Sequence, residues 1–136
     1  MNVALGGTLE SEIQTLPGRM DHRAPESDRQ DERFAIRQTV SIKPGSCLAG
    51  VFGAGEIMVN SVHRQAVGVL GPNLDVEAVA PDGTVEAVSV RGARGFAVGV
   101  QWHPEYWAGT DENSARIFRA FGDAARAYMV DREAPR

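Results

Sequence analysis

The residues best equipped for chemistry lie in Ala97–Glu105, A-V-G-V-Q-W-H-P-E, where an apolar run stops at a histidine, a proline and a carboxylate. A short valine-rich run after a glycine reads as a buried strand, and α/β proteins gather reactive groups at strand ends. His103 and Glu105 would then stand just past a strand terminus. Pro104 fixes its own φ and biases His103 toward an extended backbone, so the two flanking side chains can be held in a set relation. A carboxylate that binds one imidazole nitrogen leaves the other free to act as a base. Such a base suits a cysteine nucleophile, whose thiol proton it takes to leave a thiolate and imidazolium pair. Spacing alone also allows a solvated strand-end histidine beside a surface glutamate.

The nucleophile is harder to place. Cys47 is the one cysteine, which rules out an intrachain disulfide and the paired-cysteine spacings of structural zinc sites. The string G-S-C-L-A sets small residues two before and two after it. A nucleophile elbow, however, follows a buried strand and opens a helix, whereas Lys43-Pro44 precedes Cys47 and Gly53 and Gly55 follow closely. Cys47 is expected to be a small buried hydrophobe; Thr8 and Ser61 are weaker nucleophile candidates still. In N-S-V-H-R-Q-A, the i, i+2, i+4 spacing of Ser61, His63 and Gln65 would turn all three to one face if the segment is extended. The other reading is a polar cluster at a loop edge. His22 falls in a polar stretch and is expected to be solvated. The three histidines and Glu105 are spread along the chain without an H-E-x-x-H or short-spaced pair, so neither metal nor other cofactor is expected. Gly6-Gly7 and Gly92–Gly95 lack the strand-turn-helix setting of a phosphate loop.

Several elements must position these residues. Met1–Leu5, closed by Gly6-Gly7, reads as the tail of a helix too short to stand alone. Residues 10–33 are polar and aperiodic, an expected exposed loop. Phe34–Ile42 and Glu56–Ser61 alternate as half-buried strands, and Ser46 can cap a short turn over Cys47–Phe52. Leu74–Ala80 and Thr84–Val90 flank P-D-G, whose proline sets φ, whose aspartate caps the turn and whose glycine accepts positive φ: a hairpin. Phe96–Gln101 is the strand that delivers His103. Thr110–Tyr128 is the one strong helix, with Asp111 at its start and Ala115, Ile117, Phe118, Phe121, Ala125 and Tyr128 on a face expected to cover the sheet. A charged tail, 129–136, follows, expected to fray from Asp131 to Arg136.

At 136 residues the chain has one domain's worth of length, with 43% hydrophobic and 24% charged side chains, ordinary for a globular protein. The net charge of -4 and a single lysine, Lys43, argue against a nucleic-acid partner. No apolar run approaches the ~20 residues of a membrane span, and no basic-then-apolar leader is present. With one cysteine and no leader, the expected location is the cytoplasm.

V-G-V-Q-W-H-P-E closely resembles the signature that closes the catalytic half of class I glutamine amidotransferase-like domains. N-V-A-L-G-G-T-L at Asn2–Leu9, V-N-S-V-H-R-Q-A at Val59–Ala66 and V-E-A-V-A-P-D-G-T-V-E-A-V at Val76–Val88 narrow it to the gamma-glutamyl-gamma-aminobutyrate hydrolase branch, which cleaves gamma-glutamyl amides with a cysteine. The resemblance covers residue 2 to about Tyr128, the second half of such a domain. It implies an α/β fold, the carboxyl-terminal part of a flavodoxin-like amidotransferase domain lacking its N-terminal strands. It further implies His103 as base and then acid, Glu105 as its orienting carboxylate, and Ser61, His63 and Gln65 lining the side that receives a small gamma-glutamyl substrate. In that family N-V-A-L-G-G ends the helix after the nucleophile. The cysteine is therefore expected upstream of Met1, and this chain alone is expected to be inactive. A sheet without its first strands exposes an edge and an apolar face, so a homo-oligomer or a complementary N-terminal half is an expected partner. Two other readings remain: a non-catalytic truncated fragment or binding remnant, and a glutaminase domain passing ammonia to a synthetase.

Overall fold

A computed structural model describes residues 1–133. In chain order the strands are β1 (Leu9–Glu10), β2 (Gln38–Ile42), β3 (Gly55–Val59), β4 (Ala66–Val67), β5 (Leu74–Val79), β6 (Val85–Val90) and β7 (Val98–Val100). The helices are α1 (Gln30–Arg33), α2 (Cys47–Phe52) and α3 (Glu112–Glu133). Five strands form one antiparallel sheet in the order β3-β2-β5-β6-β7, and β1 pairs with β4 in a separate short ladder.

Because each neighbour in the large sheet is antiparallel, β3, β5 and β7 run in the same direction and finish at one end of it. The segments that follow them are Asn60–His63, the Pro81-Asp82-Gly83 turn and the turn carrying His103. One end of the sheet thus collects the polar residues singled out from the sequence.

The hairpin forms as its turn chemistry requires: Gly83 has φ +80° and donates to the Ala80 carbonyl, while Asp82 accepts from the Thr84 amide. Its strands are less regular than the alternation in V-E-A-V suggests. Val76 opposes Val88 and Ala78 opposes Ala87, which leaves Glu77 as an extra residue on β5; Val79 then opposes Val85, which leaves Glu86 extra on β6. Bulges of this kind re-aim side chains, and both glutamates are buried. Glu77 Oε2 accepts from the Leu48 amide at 2.6 Å, and its Oε1 accepts from the Ser89 hydroxyl at 2.6 Å. The bulge on β5 therefore anchors the start of α2, which Ser46 also caps through the Ala49 amide.

The core comprises Val40, Ile42, Leu48, Val59, Ala78, Ala87, Trp102 and Ile117. Helix α3 contributes Ile117 to it, and Asp111 caps the helix through the Ser114 amide. The apolar face expected to cover the sheet does so mainly near its start: Phe118, Phe121 and Tyr128 are exposed, although Phe121 meets Phe96 ring edge to ring face. Helix α3 continues into the charged tail through Glu133, and the rest of the tail expected to fray lies outside the described residues.

Three other expectations are corrected. The strand expected from Phe34 begins at Gln38, because residues 30–33 wind into a helical turn that Phe34 closes by donating to the Gln30 carbonyl. Cys47 is exposed rather than buried, since it stands on the outer face of α2 while Leu48 turns inward. The stretch 10–33 is not uniformly exposed: Ile13 and His22 are buried. Among the described residues, no helix is long and apolar enough to cross a membrane.

Candidate active site

His103 follows the short edge strand β7 and precedes a 3-10 turn, Pro104–Trp107, with the proline at its first position. Its backbone, at φ −113° and ψ 83°, lies outside both the helical and the regular strand regions. Asn60, just past β3, holds that backbone at two points: the His103 amide donates to Asn60 Oδ1 at 2.8 Å, and Asn60 Nδ2 donates to the His103 carbonyl at 2.8 Å. Trp102 is buried in the core on one side and Pro104 on the other. The histidine is thereby anchored by its neighbours while its own ring points outward.

Imidazole Nδ1 lies 2.7 Å from Glu105 Oε1. Since a carboxylate only accepts, this contact places the proton on Nδ1 and leaves Nε2 as the basic nitrogen of the neutral ring. Both side chains are accessible, 43% for His103 and 60% for Glu105. Phe34 meets the His103 ring edge-on at 5.8 Å and stacks on Tyr106 at 4.7 Å. Trp107 fixes this wall by donating its indole N–H to the Phe34 carbonyl, and the Tyr106 hydroxyl donates to Asp31. The hydrogen bond to Asp31, with burial and the negative charge of Asp31 adding to it, holds the Tyr106 phenol above its ordinary pKa.

Ser61, His63 and Gln65 do not share the face expected of them. The strand ends at Val59, so the alternation that would have aligned them is absent. Ser61 and His63 turn inward: Ser61 Oγ donates to the His22 carbonyl at 2.8 Å, and the His63 ring packs 4.8 Å from that of His22. Gln65 has an exposed side chain and joins the group only through its carbonyl, 2.7 Å from His63 Nδ1. This buried cluster adjoins His103: Ser61 follows Asn60 directly, and the Gln101 amide donates to the Glu86 carbonyl. Cys47 lies elsewhere, lining a depression with Lys43, Glu77, Ser89 and Arg91. Burial, with the charge of Glu77 adding to it, pushes its thiol pKa up.

A family model for peptidase C26 matches residues 1–105. The chain belongs to the peptidase C26 family. Gamma-glutamyl-gamma-aminobutyrate hydrolase PuuD of Escherichia coli K12 is 34% identical over 96% of this chain and 52% of its own length. A glutamine amidotransferase-like protein of Rickettsia prowazekii is 53% identical over 72% of this chain and 33% of its own. This peptidase C26 chain thus spans about half or less of the curated relatives it matches. Its fold is shared with a protein of Thermoplasma acidophilum provisionally named as a GMP synthase component, with a TM-score of 0.64, 18% identity, and coverage of 97% of this chain and 55% of the other. The α/β, amidotransferase-like class expected from the sequence is therefore the one found.

Sequence reasoning missed Asn60, His22, Glu77 and Glu86 as positioning groups. Asn60 stands inside the V-N-S-V-H motif, directly before Ser61. The two glutamates are flagged by the repeat V-E-A-V, in which an acidic residue interrupts an otherwise apolar four-residue run on each side of one turn.

Proposed function

We propose that this chain supplies the base and its orienting carboxylate to a cysteine hydrolase of gamma-glutamyl amides. The observation that carries the proposal is the 2.7 Å contact from His103 Nδ1 to Glu105, with Nε2 left open on an accessible ring. Membership of the peptidase C26 family and the gamma-glutamyl hydrolase among its relatives supply the substrate class.

In this reading His103 Nε2 takes a thiol proton and the thiolate attacks the gamma-carbonyl carbon of the glutamyl amide. The imidazolium, steadied by Glu105, gives that proton to the departing amine as the C–N bond breaks, leaving a gamma-glutamyl thioester. His103 then deprotonates a water, whose attack releases glutamate and returns the thiol. Gln65, with its exposed amide, is the one of the three expected substrate-side residues free to touch the glutamyl group; Ser61 and His63 support the site from beneath.

The thiol is proposed to come from outside this chain. Cys47 is set apart from His103, and burial with the Glu77 charge raises its pKa and disfavours the thiolate. The half of the domain that the relatives have beyond this chain would bring the cysteine, docking at the cleft of about 240 Å³ bordered by Met1, Leu9, Val67, Val88 and Val100.

The test is a chimera in which the amino-terminal half of the Escherichia coli hydrolase precedes this chain, assayed on gamma-glutamyl-p-nitroanilide. Turnover should appear in the chimera and fall ~10²–10⁴-fold in His103→Ala, the range for losing a general acid-base group. Unchanged turnover in that variant would end the proposal. A glutaminase role shares this chemistry and is favoured by the amidotransferase-like relative; preference for glutamine over gamma-glutamyl amides in the same assay would select it.

A further inference from the structure

Beneath the candidate active site, His22, His63 and Glu86 bring one ligand atom each to within 4.8 Å of one another, and all three are buried. They come from three separate segments: the loop before α1, the segment after β3, and the bulge on β6. We propose that these residues form a structural site for a divalent transition-metal ion of the zinc type.

The hydrogen-bond inventory carries the argument. Each imidazole has its outer nitrogen on an oxygen that can only accept: His22 Nε2 faces Asp82 Oδ2 at 2.9 Å, and His63 Nδ1 faces the Gln65 carbonyl at 2.7 Å. Each outer nitrogen must therefore carry a proton. The inner nitrogens, His22 Nδ1 and His63 Nε2, both face Glu86 Oε1 at 3.3 Å. Without a cation, each inner nitrogen would meet Glu86 with a proton of its own, His22 Nδ1 also reaching Ser61 Oγ at 3.4 Å, so two imidazolium ions would lie side by side between Asp82 and Glu86. One divalent ion replaces those two inner protons with no change in charge and keeps both outer donors. An acceptor oxygen on the outer nitrogen is also how metal-bound histidines are oriented and made more basic.

Two further observations point to a ligand. Among the described residues, Glu86 Oε2 is buried and has no hydrogen-bond partner, a costly state for a carboxylate oxygen that a cation held by both oxygens of Glu86 would relieve. Glu86 Oε1 also receives Gln38 Nε2 at 2.8 Å, the kind of donor that steadies a ligating carboxylate. Two of the edges, from His22 Nδ1 and His63 Nε2 to Glu86 Oε1 at 3.3 Å, match the about 3.3–3.4 Å that zinc-to-ligand bonds of about 2.0–2.1 Å require, and the two imidazoles, with ligand atoms within 4.8 Å of each other, would draw together on binding. Two imidazoles and a carboxylate match the borderline softness of zinc better than the all-oxygen shells of calcium or magnesium. The ion would pin the loop carrying His22 against the hairpin and against the segment that leads from Asn60. His103 and Glu105 are not part of this set.

Tag-free full chain, stripped with a chelator, is titrated with Zn²⁺ alone by calorimetry, and with Co²⁺ alone by visible absorption. Expected are one equivalent bound, intense tetrahedral d–d bands with Co²⁺, and a melting temperature several degrees higher in excess Zn²⁺. Glu86→Gln and His63→Gln should each weaken binding at least tenfold, while His103→Asn leaves it unchanged. No binding, a weak six-coordinate Co²⁺ spectrum, or binding lost in His103→Asn but kept in Glu86→Gln would overturn the proposal. Should the buried-site variants fail to fold, the Co²⁺ spectrum of the native chain and its comparison with His103→Asn still decide.

Discussion

Removing the Asn60 carboxamide should loosen His103 without touching its ring. Asn60 is only 3% exposed and makes two 2.8 Å hydrogen bonds, one to each polar atom of the His103 backbone. A net worth of about 1 kcal/mol per bond, plus the cost of stranding a partly buried N–H and C=O, puts Asn60→Ala at about 2–3 kcal/mol. For a chain of this length that corresponds to a fall in Tm of about 8–12 °C. Asn60→Asp separates hydrogen bonding from volume. It keeps the shape and the acceptor for the His103 amide, but turns an acceptor toward the His103 carbonyl where a donor stood, so it should lose at least as much as alanine. Urea unfolding followed by tryptophan fluorescence measures both, since Trp102 and Trp107 flank the turn. A loss below about 0.5 kcal/mol in Asn60→Ala, or an aspartate variant as stable as the parent, would refute the clamp.

Glu77→Ala should cost about 2–3 kcal/mol by leaving the Leu48 amide and the Ser89 hydroxyl unpaired, whereas Glu77→Gln, able to accept from one and donate to the other, should cost less than half of that; equal urea midpoints for the two variants would contradict this. Cys47, although exposed, should alkylate more slowly with iodoacetamide in the folded chain than in urea at pH 8, because burial of the sulfur's surroundings and the Glu77 charge disfavour the thiolate. The rate in the folded chain should keep climbing above the ordinary thiol range as pH rises; identical profiles folded and unfolded would contradict the raised pKa.

What the sequence disclosed was local, and what it hid was the meeting of distant segments. Pro81-Asp82-Gly83 encodes a turn in its own backbone preferences, and the hairpin formed there. Ser46 encodes a cap for the helix beginning at Cys47, and the cap is present. His103, Pro104 and Glu105 are close in sequence, so their geometry follows from one proline and one strand end. His22 could not be read in this way. Its surroundings are polar and aperiodic, yet it is 0% exposed because Asp82 and Glu86, some sixty residues on, take up its ring nitrogens. Glu77 and Glu86 were hidden for a different reason: strict alternation sends each glutamate outward, and a single extra residue on each strand of the hairpin reverses that. The alignment of Ser61, His63 and Gln65 failed because spacing has meaning only while the backbone stays extended, and β3 stops two residues before Ser61. On α3 the helical period was legible, but period alone does not say what a face packs against. Phe118, Phe121 and Tyr128 keep the spacing of a buried face while remaining exposed.

The central claim is that Glu105 holds the proton of the neutral His103 ring on Nδ1 and leaves Nε2 free to accept one. Long-range ¹H–¹⁵N correlation NMR on the isotope-labelled chain, recorded where His103 is neutral, reads this directly from the two ring nitrogens. The structure predicts an Nδ1–H tautomer in the native chain and a shift toward Nε2–H in Glu105→Ala; a native ring already protonated on Nε2, or a tautomer indifferent to Glu105, would contradict it.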